Sequence, residues 1–387
     1  MVRTSHIGGY RPFRFTRRAI TRRARRRPLP AAPRIESLES RTLLSVSVIE
    51  GPVGSGIITF SEDAAGSDNL SLRRSASTGN LEHNSGATWI DSGVAVTALD
   101  FIRVELGSGD DSLVLEQSNG SPLPGVELLF DGGDGNDLLW VQGQAAATEA
   151  LAIRPDGTFS DRHEVSGLRG AVPLSTIGLE RLRYSGVGGD DTVTVEPGAG
   201  DDDVSVSGGS ERDLVTTASL PAIELEMLAT LAIDAGDTRG GDTVRLVTTS
   251  LVGADLYQVL GGANDLLVIE GSDADGDQIT ISDPDEGAGL RATIVHQNSV
   301  NGGVIEARGA LGRLRVETGG GDDLVAIDVD GNGLIAMPIE IDAGGGADDV
   351  LQVSGTPSTP VSDVIYLPGS GADGRLLYYI RIRRCST

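Results

Sequence analysis

The sequence predicts an all-β fold, and three observations support this prediction. Glycine supplies 54 of the 387 residues, while aromatic residues make up only 4% of the chain. The core must therefore be built from valine, leucine and isoleucine, which favour short strands. Valine alternates with threonine at 192–195 and with serine at 204–207, which places the valines on one face of each strand. We find no helical period sustained over a typical helix length.

The charge is divided unevenly along the chain, and this excludes several classes of protein. Residues 1–41 carry a net charge of +10, so the formal total of −25 leaves −35 on the rest. A body this acidic repels phosphate groups, and we expect no nucleic-acid partner. No apolar run approaches the ~18 residues of a membrane span. One cysteine, Cys385, excludes an internal disulfide framework and a cysteine-built zinc site.

An arginine-rich segment opens the chain, and we expect it to be disordered. On composition alone, the alternative is a targeting or nucleic-acid-binding arm. Directly after it, residues 38–45 read Leu-Glu-Ser-Arg-Thr-Leu-Leu-Ser. This stretch resembles the LEPR-XLL motif, which follows an Arg-rich leader in large surface or exported proteins of planctomycete-type bacteria. Ser40 stands where that family usually has proline. The resemblance implies an exported protein at the cell surface or outside the cell. The alternative is a short amphipathic turn packed on the first strand.

The rest of the chain is repetitive. Eight segments share a Gly/Asp turn followed directly by an aliphatic strand, at residues 107–115, 132–141, 188–195, 198–206, 240–247, 261–269, 319–327 and 344–353. Two types of incoming strand precede these turns in the same order three times, which indicates three super-repeats. The predicted division is a leader at 1–45, β repeat units at 46–148, 149–260 and 261–367, and a tail at 368–387.

The spacing of the turns predicts how the strands are arranged. Most intervals between the motif aspartates are close to 25 residues or to twice that number. This sub-period indicates coils of a parallel β-helix or related β-solenoid, with one Gly/Asp turn per coil and the turns along one edge. A row of tandem β-sandwich modules is the alternative, because the length of the super-repeat fits such a module.

The turns also suggest a metal. Residues 132–140 match the GGxGxDxUx nonapeptide of calcium-binding β-helix repeats, and residues 318–326 and 343–351 match it with one substitution each. They resemble degenerate RTX (hemolysin-type) repeats, which implies calcium held between successive turns by carbonyl and carboxylate oxygens. The motifs do not recur every nine residues, so each lacks half of the family's calcium cage. The alternative is that these acids serve only turn formation and solubility.

The resulting candidate metal ligands are the polar residues of the eight turns. They are Asp110, Asp111, Asp134, Asn136, Asp137, Asp190, Asp191, Asp201, Asp202, Asp242, Asp265, Asp322, Asp323, Asp348 and Asp349. A further acidic stretch at 272–280 resembles half an EF-hand loop, but Pro284 occupies the twelfth position in place of glutamate. It is also similar to the turn of cadherin-like and VCBS-type bacterial surface repeats.

The sequence predicts a structural protein rather than an enzyme. The four histidines, His6, His83, His163 and His296, lie in unrelated contexts without a catalytic motif around them. We expect an exported acidic scaffold with a structural or adhesive role, whose partners are calcium ions and surface polysaccharide or other surface proteins. The alternative is a β-helix polysaccharide lyase or glycan-binding protein. Its candidate basic residues are Arg181, Arg183, Arg313 and Arg315.

Overall fold

A computed structural model describes most of the chain after the leader. The described residues are 46–354, 364–367 and 375–380, with gaps at 52–53, 63–65, 87, 146, 169–171, 237–239, 283–289, 298–302, 329–334 and 336. The LEPR-XLL-like motif and Cys385 lie outside these residues. Nearly every regular element is a strand, apart from one turn of 3₁₀ helix at Val96–Ala98. The predicted all-β fold is confirmed.

Thirty strands are formed by the described residues. The first fifteen are β1 (Val46–Glu50), β2 (Ile57–Glu62), β3 (Asn69–Arg74), β4 (Asn80–Asn84), β5 (Ile90–Ala95), β6 (Phe101–Glu105), β7 (Ser112–Glu116), β8 (Glu127–Asp131), β9 (Leu138–Gln142), β10 (Ala150–Pro155), β11 (Arg162–Ser166), β12 (Leu174–Ile177), β13 (Arg181–Ser185), β14 (Thr192–Val195) and β15 (Asp203–Gly208). The others are β16 (Asp213–Thr216), β17 (Ala222–Glu226), β18 (Leu228–Ala235), β19 (Thr243–Val247), β20 (Ala254–Gly261), β21 (Leu266–Glu270), β22 (Gln278–Ser282), β23 (Leu290–His296), β24 (Val304–Gly309), β25 (Arg313–Glu317), β26 (Leu324–Asp328), β27 (Ile339–Asp342), β28 (Val350–Ser354), β29 (Val364–Leu367) and β30 (Arg375–Ile380).

These strands form two sheets of fifteen strands each. Sheet I has the order β1-β2-β6-β8-β12-β11-β10-β14-β18-β20-β24-β23-β22-β26-β28, and sheet II has the order β29-β30-β27-β25-β21-β19-β15-β16-β17-β13-β9-β7-β3-β4-β5. The chain passes repeatedly between the sheets, and strands of successive coils pair in parallel, as β6 does with β8 and β7 with β9. This topology is that of a β-solenoid with two strands per coil.

The sub-period near 25 residues is the length of one coil. Asp111 and Asp137 precede β7 and β9, which are neighbours in sheet II and are separated by one strand of sheet I. The intervals near twice this length do not hold two such coils. The interval from Asp137 to Asp191 contains three consecutive strands of sheet I, β10, β11 and β12, which pair antiparallel with one another.

We call such a three-stranded antiparallel segment a meander. Meanders occur at β3–β5, β10–β12, β15–β17 and β22–β24. In the three internal ones the chain advances along the sheet and then doubles back, so that each meander fills three adjacent strand positions. Antiparallel neighbours need only a short connection, whereas parallel neighbours need a crossover through the other sheet. Local hairpins therefore interrupt a stack that is otherwise parallel.

The core lies between the two sheets. Alternate residues of the strands are buried, as in β9, where Leu139 and Val141 are fully buried and their neighbours are partly exposed. Aliphatic side chains from all three predicted repeat units belong to one buried cluster that includes Leu72, Leu182 and Leu314. The units thus share a continuous core. Parallel pairs such as β9 with β13 also cross the predicted boundary between the first two units.

The Gly/Asp turns do not lie along one edge, as the sequence led us to expect. The turn at 107–111 leads from sheet I into sheet II, whereas the turns at 188–191 and 319–323 lead from sheet II into sheet I. In a coil of two strands these two kinds of turn lie on opposite edges. Equivalent incoming strands also occupy different sheets, since β6 lies in sheet I and β25 in sheet II. Equivalent strands of the super-repeats therefore do not occupy equivalent positions in the two sheets.

Two adjacent leucines test the assignment of the faces of β9. Leu139 is fully buried, whereas Leu138 is partly exposed. We expect Leu139→Ala to lower the free energy of unfolding by about 2–5 kcal/mol, because it leaves a cavity in a packed core. Leu138→Ala removes the same atoms and should cost about 1 kcal/mol or less. Denaturant unfolding of both variants measures the difference, and equal losses would contradict the assignment.

Candidate functional site

The candidate ligands in the Gly/Asp turns separate into buried and exposed acids. Six of them are at most 2% exposed to solvent, namely Asp111, Asp137, Asp191, Asp242, Asp265 and Asp323. Asp202 is half-buried, and the others are exposed: Asp110, Asp134, Asn136, Asp190, Asp201, Asp322, Asp348 and Asp349. In an Asp-Asp pair such as 110–111, the first residue faces solvent and the second faces the interior. Adjacent residues in extended backbone point to opposite sides, which explains the division.

The buried acids form hydrogen bonds between coils. The backbone N–H of Asp111 donates to Oδ1 of Asp137 at 2.8 Å, and the N–H of Asp137 donates to Oε2 of Glu180 at 2.8 Å. The N–H of Asp68 donates to Oδ1 of Asp111 at 2.6 Å. In each case the acid lies directly before a strand. Its carboxylate accepts a hydrogen bond from the backbone N–H of the acid at the same position in the preceding coil. We call this series the carboxylate ladder.

The carboxylate ladder recurs along both sheets. In sheet II it resumes after a meander, where the N–H of Asp202 donates to Asp242 and that of Asp242 to Asp265, at 2.7 and 3.1 Å. In sheet I, the N–H of Asp277 donates to Asp323 and that of Asp323 to Asp349, at 2.8 and 3.1 Å. A carboxylate that accepts a backbone N–H satisfies a donor that would otherwise be buried without a partner.

The exposed acids accept hydrogen bonds from the following coil, whereas the buried acids accept them from the preceding coil. Oδ1 of Asp110 accepts the N–H of Asn136, which lies in the following coil, at 3.0 Å. Oδ1 of Asp322 likewise accepts the N–H groups of Ala347 and Asp348 at 3.0 and 3.1 Å. An Asp-Asp pair therefore joins its coil to the next one through two reciprocal bonds. This role explains why two acids follow the glycines.

Close stacking of the turns requires glycine at specific positions. Gly133 has φ +91°, and a Cβ there would lie 1.8 Å from the carbonyl oxygen of Gly107 in the preceding coil. The turn containing Asp134 is hydrogen-bonded to that coil through its backbone, with the N–H of Asp134 donating to the O of Gly107 at 2.8 Å. A side chain at Gly133 would separate the two turns.

Burial of carboxylates shifts their protonation. Burial, aided by the charge of Asp137, raises the pKa of Asp111 to about 6. Burial also raises the pKa of Asp137 and Asp323. In each of these three side chains Oδ1 accepts a backbone N–H, while the buried Oδ2 has no hydrogen-bond partner of acceptable geometry among the described residues. These oxygens remain available to a proton, a water molecule or a cation.

A preformed calcium site requires more oxygen ligands than a single carboxylate supplies. Calcium takes about 6–8 oxygen ligands, usually with several carboxylates. Within the described part of the chain, no group of three or more His, Cys, Asp or Glu side chains is placed to hold a metal ion. The turn acids therefore fit calcium only where backbone carbonyls and water supply most of the ligands.

Sequence reasoning missed several members of the ladder. Asp68, Glu149, Glu180 and Asp277 each precede a strand directly, and their side chains or backbone take part in the same bonds. They lack the preceding run of glycines. A better signal is an acid followed by one residue of any type and then alternating aliphatic residues, as in Asp-Gln-Ile-Thr-Ile at 277–281.

The acidic stretch near 272 belongs to this architecture. Asp273 and Asp275 are exposed, while Asp277 is buried and its Oδ1 contacts Nε2 of His296 at 3.0 Å. Nδ1 of His296 contacts the hydroxyl of Thr248 at 2.7 Å. All three of these contacting side chains are 0–1% exposed, so no substrate reaches them from solvent. The group is a buried polar link between coils.

Three of the four arginines considered for a lyase form ion pairs on the outer face of sheet II, and the fourth, Arg313, is exposed. Arg181 and Arg183 both pair with Glu224, and the guanidinium of Arg183 also lies 5.1 Å from the ring centroid of Trp140. Burial acts to raise the pKa of Glu224, but the two arginines outweigh it and lower the pKa to about 2. Arg315 pairs with Glu317 at 2.9 Å. These guanidinium groups serve as ion-pair partners in the folded chain.

An open cavity of about 1040 Å³ lies where the two central meanders meet. Its lining includes five acids, Asp156, Glu180, Glu196, Asp202 and Asp234, together with Arg154 and His163. Burial lowers the pKa of His163, so the cavity carries a net negative charge at neutral pH.

Comparison of the chain with protein-family models, with curated proteins and with solved structures finds no match. Among the described residues, no helix is long and apolar enough to cross a membrane.

The raised pKa of Asp111 leads to a pH-dependent prediction. The folded state binds a proton more tightly than the unfolded chain, whose carboxyl titrates near 3.8. The stability contribution is therefore complete below about pH 4 and is lost as the pH rises through about 6. Asp111→Asn keeps Oδ1 and cannot ionise, so its stability should increase relative to the native chain from pH 4 to pH 7. Urea unfolding in EDTA measures this, and a constant offset would contradict it.

Proposed function

We propose that the chain is an exported, acidic repeat scaffold with a structural or adhesive role at the cell surface. The observation that carries this proposal is the continuous stack of coils joined by the carboxylate ladder. Each coil contacts its neighbours through strand pairing, a shared core and reciprocal bonds of the turn acids. Such a stack presents a large fixed surface. The LEPR-XLL-like motif supports the surface location.

We further propose that calcium binds at the outer side of stacked Gly/Asp turns. The turns at 107–111 and 132–137 offer the best case, because their backbones are hydrogen-bonded to each other and both carry exposed carboxylates, Asp110 and Asp134. The strong net negative charge of the chain favours such binding. Bound calcium would neutralise the exposed acids and tie neighbouring coils together.

Thermal unfolding of the full chain in EDTA, calcium and magnesium tests the calcium proposal. We expect calcium to raise the melting temperature more than magnesium does. An ion at about 100 times its Kd stabilises the folded state by about 2.7 kcal/mol per site. The double variant Asp110→Asn with Asp134→Asn should lose part of this increment. Asp161→Asn with Asp255→Asn, two exposed acids outside the Gly/Asp turns, is the control matched for charge. No calcium-specific rise in the native chain would remove calcium from the proposed function.

The acidic cavity between the central meanders favours glycan binding as a second candidate function. Carboxylates and a histidine in one open concave surface suit hydrogen bonding to sugar hydroxyl groups. Its negative charge repels uronic acids, so it suits neutral or amino-sugar chains better than the substrates of a lyase.

Titration calorimetry with amino-sugar and uronic-acid oligosaccharides tests this candidate. We expect binding only of the amino-sugar chains, and Glu196→Gln should weaken it roughly tenfold through loss of a charged hydrogen-bond acceptor. Glu127→Gln, the same change at an exposed residue outside the lining, should leave the affinity unchanged. Preferential binding of uronic acids, or release of unsaturated products from them, would favour the lyase instead.

A further inference from the structure

A second polar cluster lies at the corner where strands of sheet II end and strands of sheet I begin. Gln117 directly follows β7, Tyr184 lies near the end of β13, and Glu149 and Asp191 directly precede β10 and β14. All four side chains are 0–2% exposed. The segment between β9 and β10 contains no Gly/Asp motif. We call these four residues the corner cluster.

The hydrogen bonds in the corner cluster leave several polar atoms without partners. Oε2 of Glu149 accepts the hydroxyl of Tyr184 at 2.9 Å and the N–H of Gln144 at 3.3 Å. Oδ1 of Asp191 accepts the N–H of Glu149 at 2.8 Å. Oε1 of Glu149, Oδ2 of Asp191 and both amide atoms of Gln117 are buried without a bond of acceptable geometry in the described structure.

The cluster also lacks a compensating positive charge. Neither Glu149 nor Asp191 forms an ion pair within the described part of the chain. Burial raises the pKa of Glu149, while Tyr184, Gln144 and Gln117 act to lower it and Asp191 acts to raise it further. Burial and these two carboxylates also raise the pKa of Tyr184, so its hydroxyl stays protonated and supplies a single donor. The two buried carboxyl groups therefore have too few hydrogen-bond donors to satisfy all of their oxygens.

Glycines let these oxygens approach the backbone closely. A Cβ at Gly143 would lie 2.9 Å from both Oε2 of Glu149 and the hydroxyl oxygen of Tyr184. A Cβ at Gly186 would lie 2.9 Å from Oδ2 of Asp191. Oxygens of Glu149, Tyr184 and Asp191 thus lie against glycine backbone at this corner. Gln117 lies near Glu149 and acts to lower its pKa.

We propose that the corner cluster binds one hard, oxygen-seeking divalent cation through Glu149, Asp191 and Gln117, with the Tyr184 hydroxyl completing the protein ligands. Two carboxylates, an amide oxygen and a hydroxyl are ligands that such ions prefer, and backbone carbonyls or water supply the rest. The ion would neutralise both buried charges. This site is separate from the exposed turn acids and does not depend on the proposed surface role.

Terbium luminescence of the full chain tests the site directly, because terbium replaces calcium and is sensitised by a nearby tyrosine. We expect excitation of tyrosine to give terbium emission that calcium displaces. Tyr184→Phe removes the sensitiser and one ligand and should abolish this component. Glu149→Gln should weaken calcium binding roughly tenfold or more, as expected for loss of a ligand.

Two controls separate this proposal from calcium binding at the outer side of the turns at 107–111 and 132–137. Asp137→Asn and the double variant Asp110→Asn with Asp134→Asn change only turn acids, so emission sensitised by Tyr184 should persist in both. A smaller calcium-dependent rise in melting temperature in these variants, with retained emission, would separate the two kinds of site.

The competing explanation is that Glu149 and Asp191 share a proton. It predicts no emission that depends on Tyr184, and a calcium-dependent rise in melting temperature that Glu149→Gln leaves unchanged. That combination would overturn the proposal. If Glu149→Gln does not fold, Gln117→Met gives an independent answer. It should lower calcium affinity if the amide is a ligand, and it should stabilise the chain without affecting calcium binding if the corner is empty.

Discussion

The structure depends on hydrogen bonds from the backbone N–H groups that directly precede strands to acceptors in the neighbouring coil. In a parallel stack such a group lies at the point where the chain enters the sheet, and the neighbouring coil offers a carboxylate instead of a carbonyl. The bonds from Asp68 to Asp111 and from Asp111 to Asp137 repeat this solution at 2.6 and 2.8 Å. Coil length, strand register and the position of the turn glycines must all fit this contact. A strand displaced by one residue would place the acid on the outer face.

This use of acids has an electrostatic cost, which explains several other features. Carboxyl groups buried near one another disfavour ionisation, as the raised pKa of Asp111 shows. Exposed acids of the same turns add further negative charge along both edges. The chain offsets some of this with arginines on the outer face of sheet II, where Glu224 has a lowered pKa between Arg181 and Arg183. The corner cluster has no such partner, which is why it is the strongest candidate for a cation.

The meanders add antiparallel strands to the stack without interrupting its core. Where a meander interrupts the parallel pairing, the ladder stops and resumes beyond it, as between Glu180 and Asp202 in sheet II. The added strands continue the aliphatic core, since Val165 in β11 and Val215 in β16 are fully buried. They also create the acidic cavity, because loops of two meanders project at the same place. Irregular strand pairing thus supplies the concave surface that a uniform solenoid lacks.

The sequence by itself determined the strands, the alternation of buried and exposed residues and the coil length of about 25 residues. These follow from local patterns, because side-chain direction in a strand has a period of two. It also identified the turn acids, although it did not separate the buried from the exposed ones. Only the tertiary structure decided which acids meet. Gln117, Glu149, Tyr184 and Asp191 are far apart in sequence, and their contact depends on which strands become neighbours after a meander. No local pattern encodes that choice, because pairing between coils is a long-range contact.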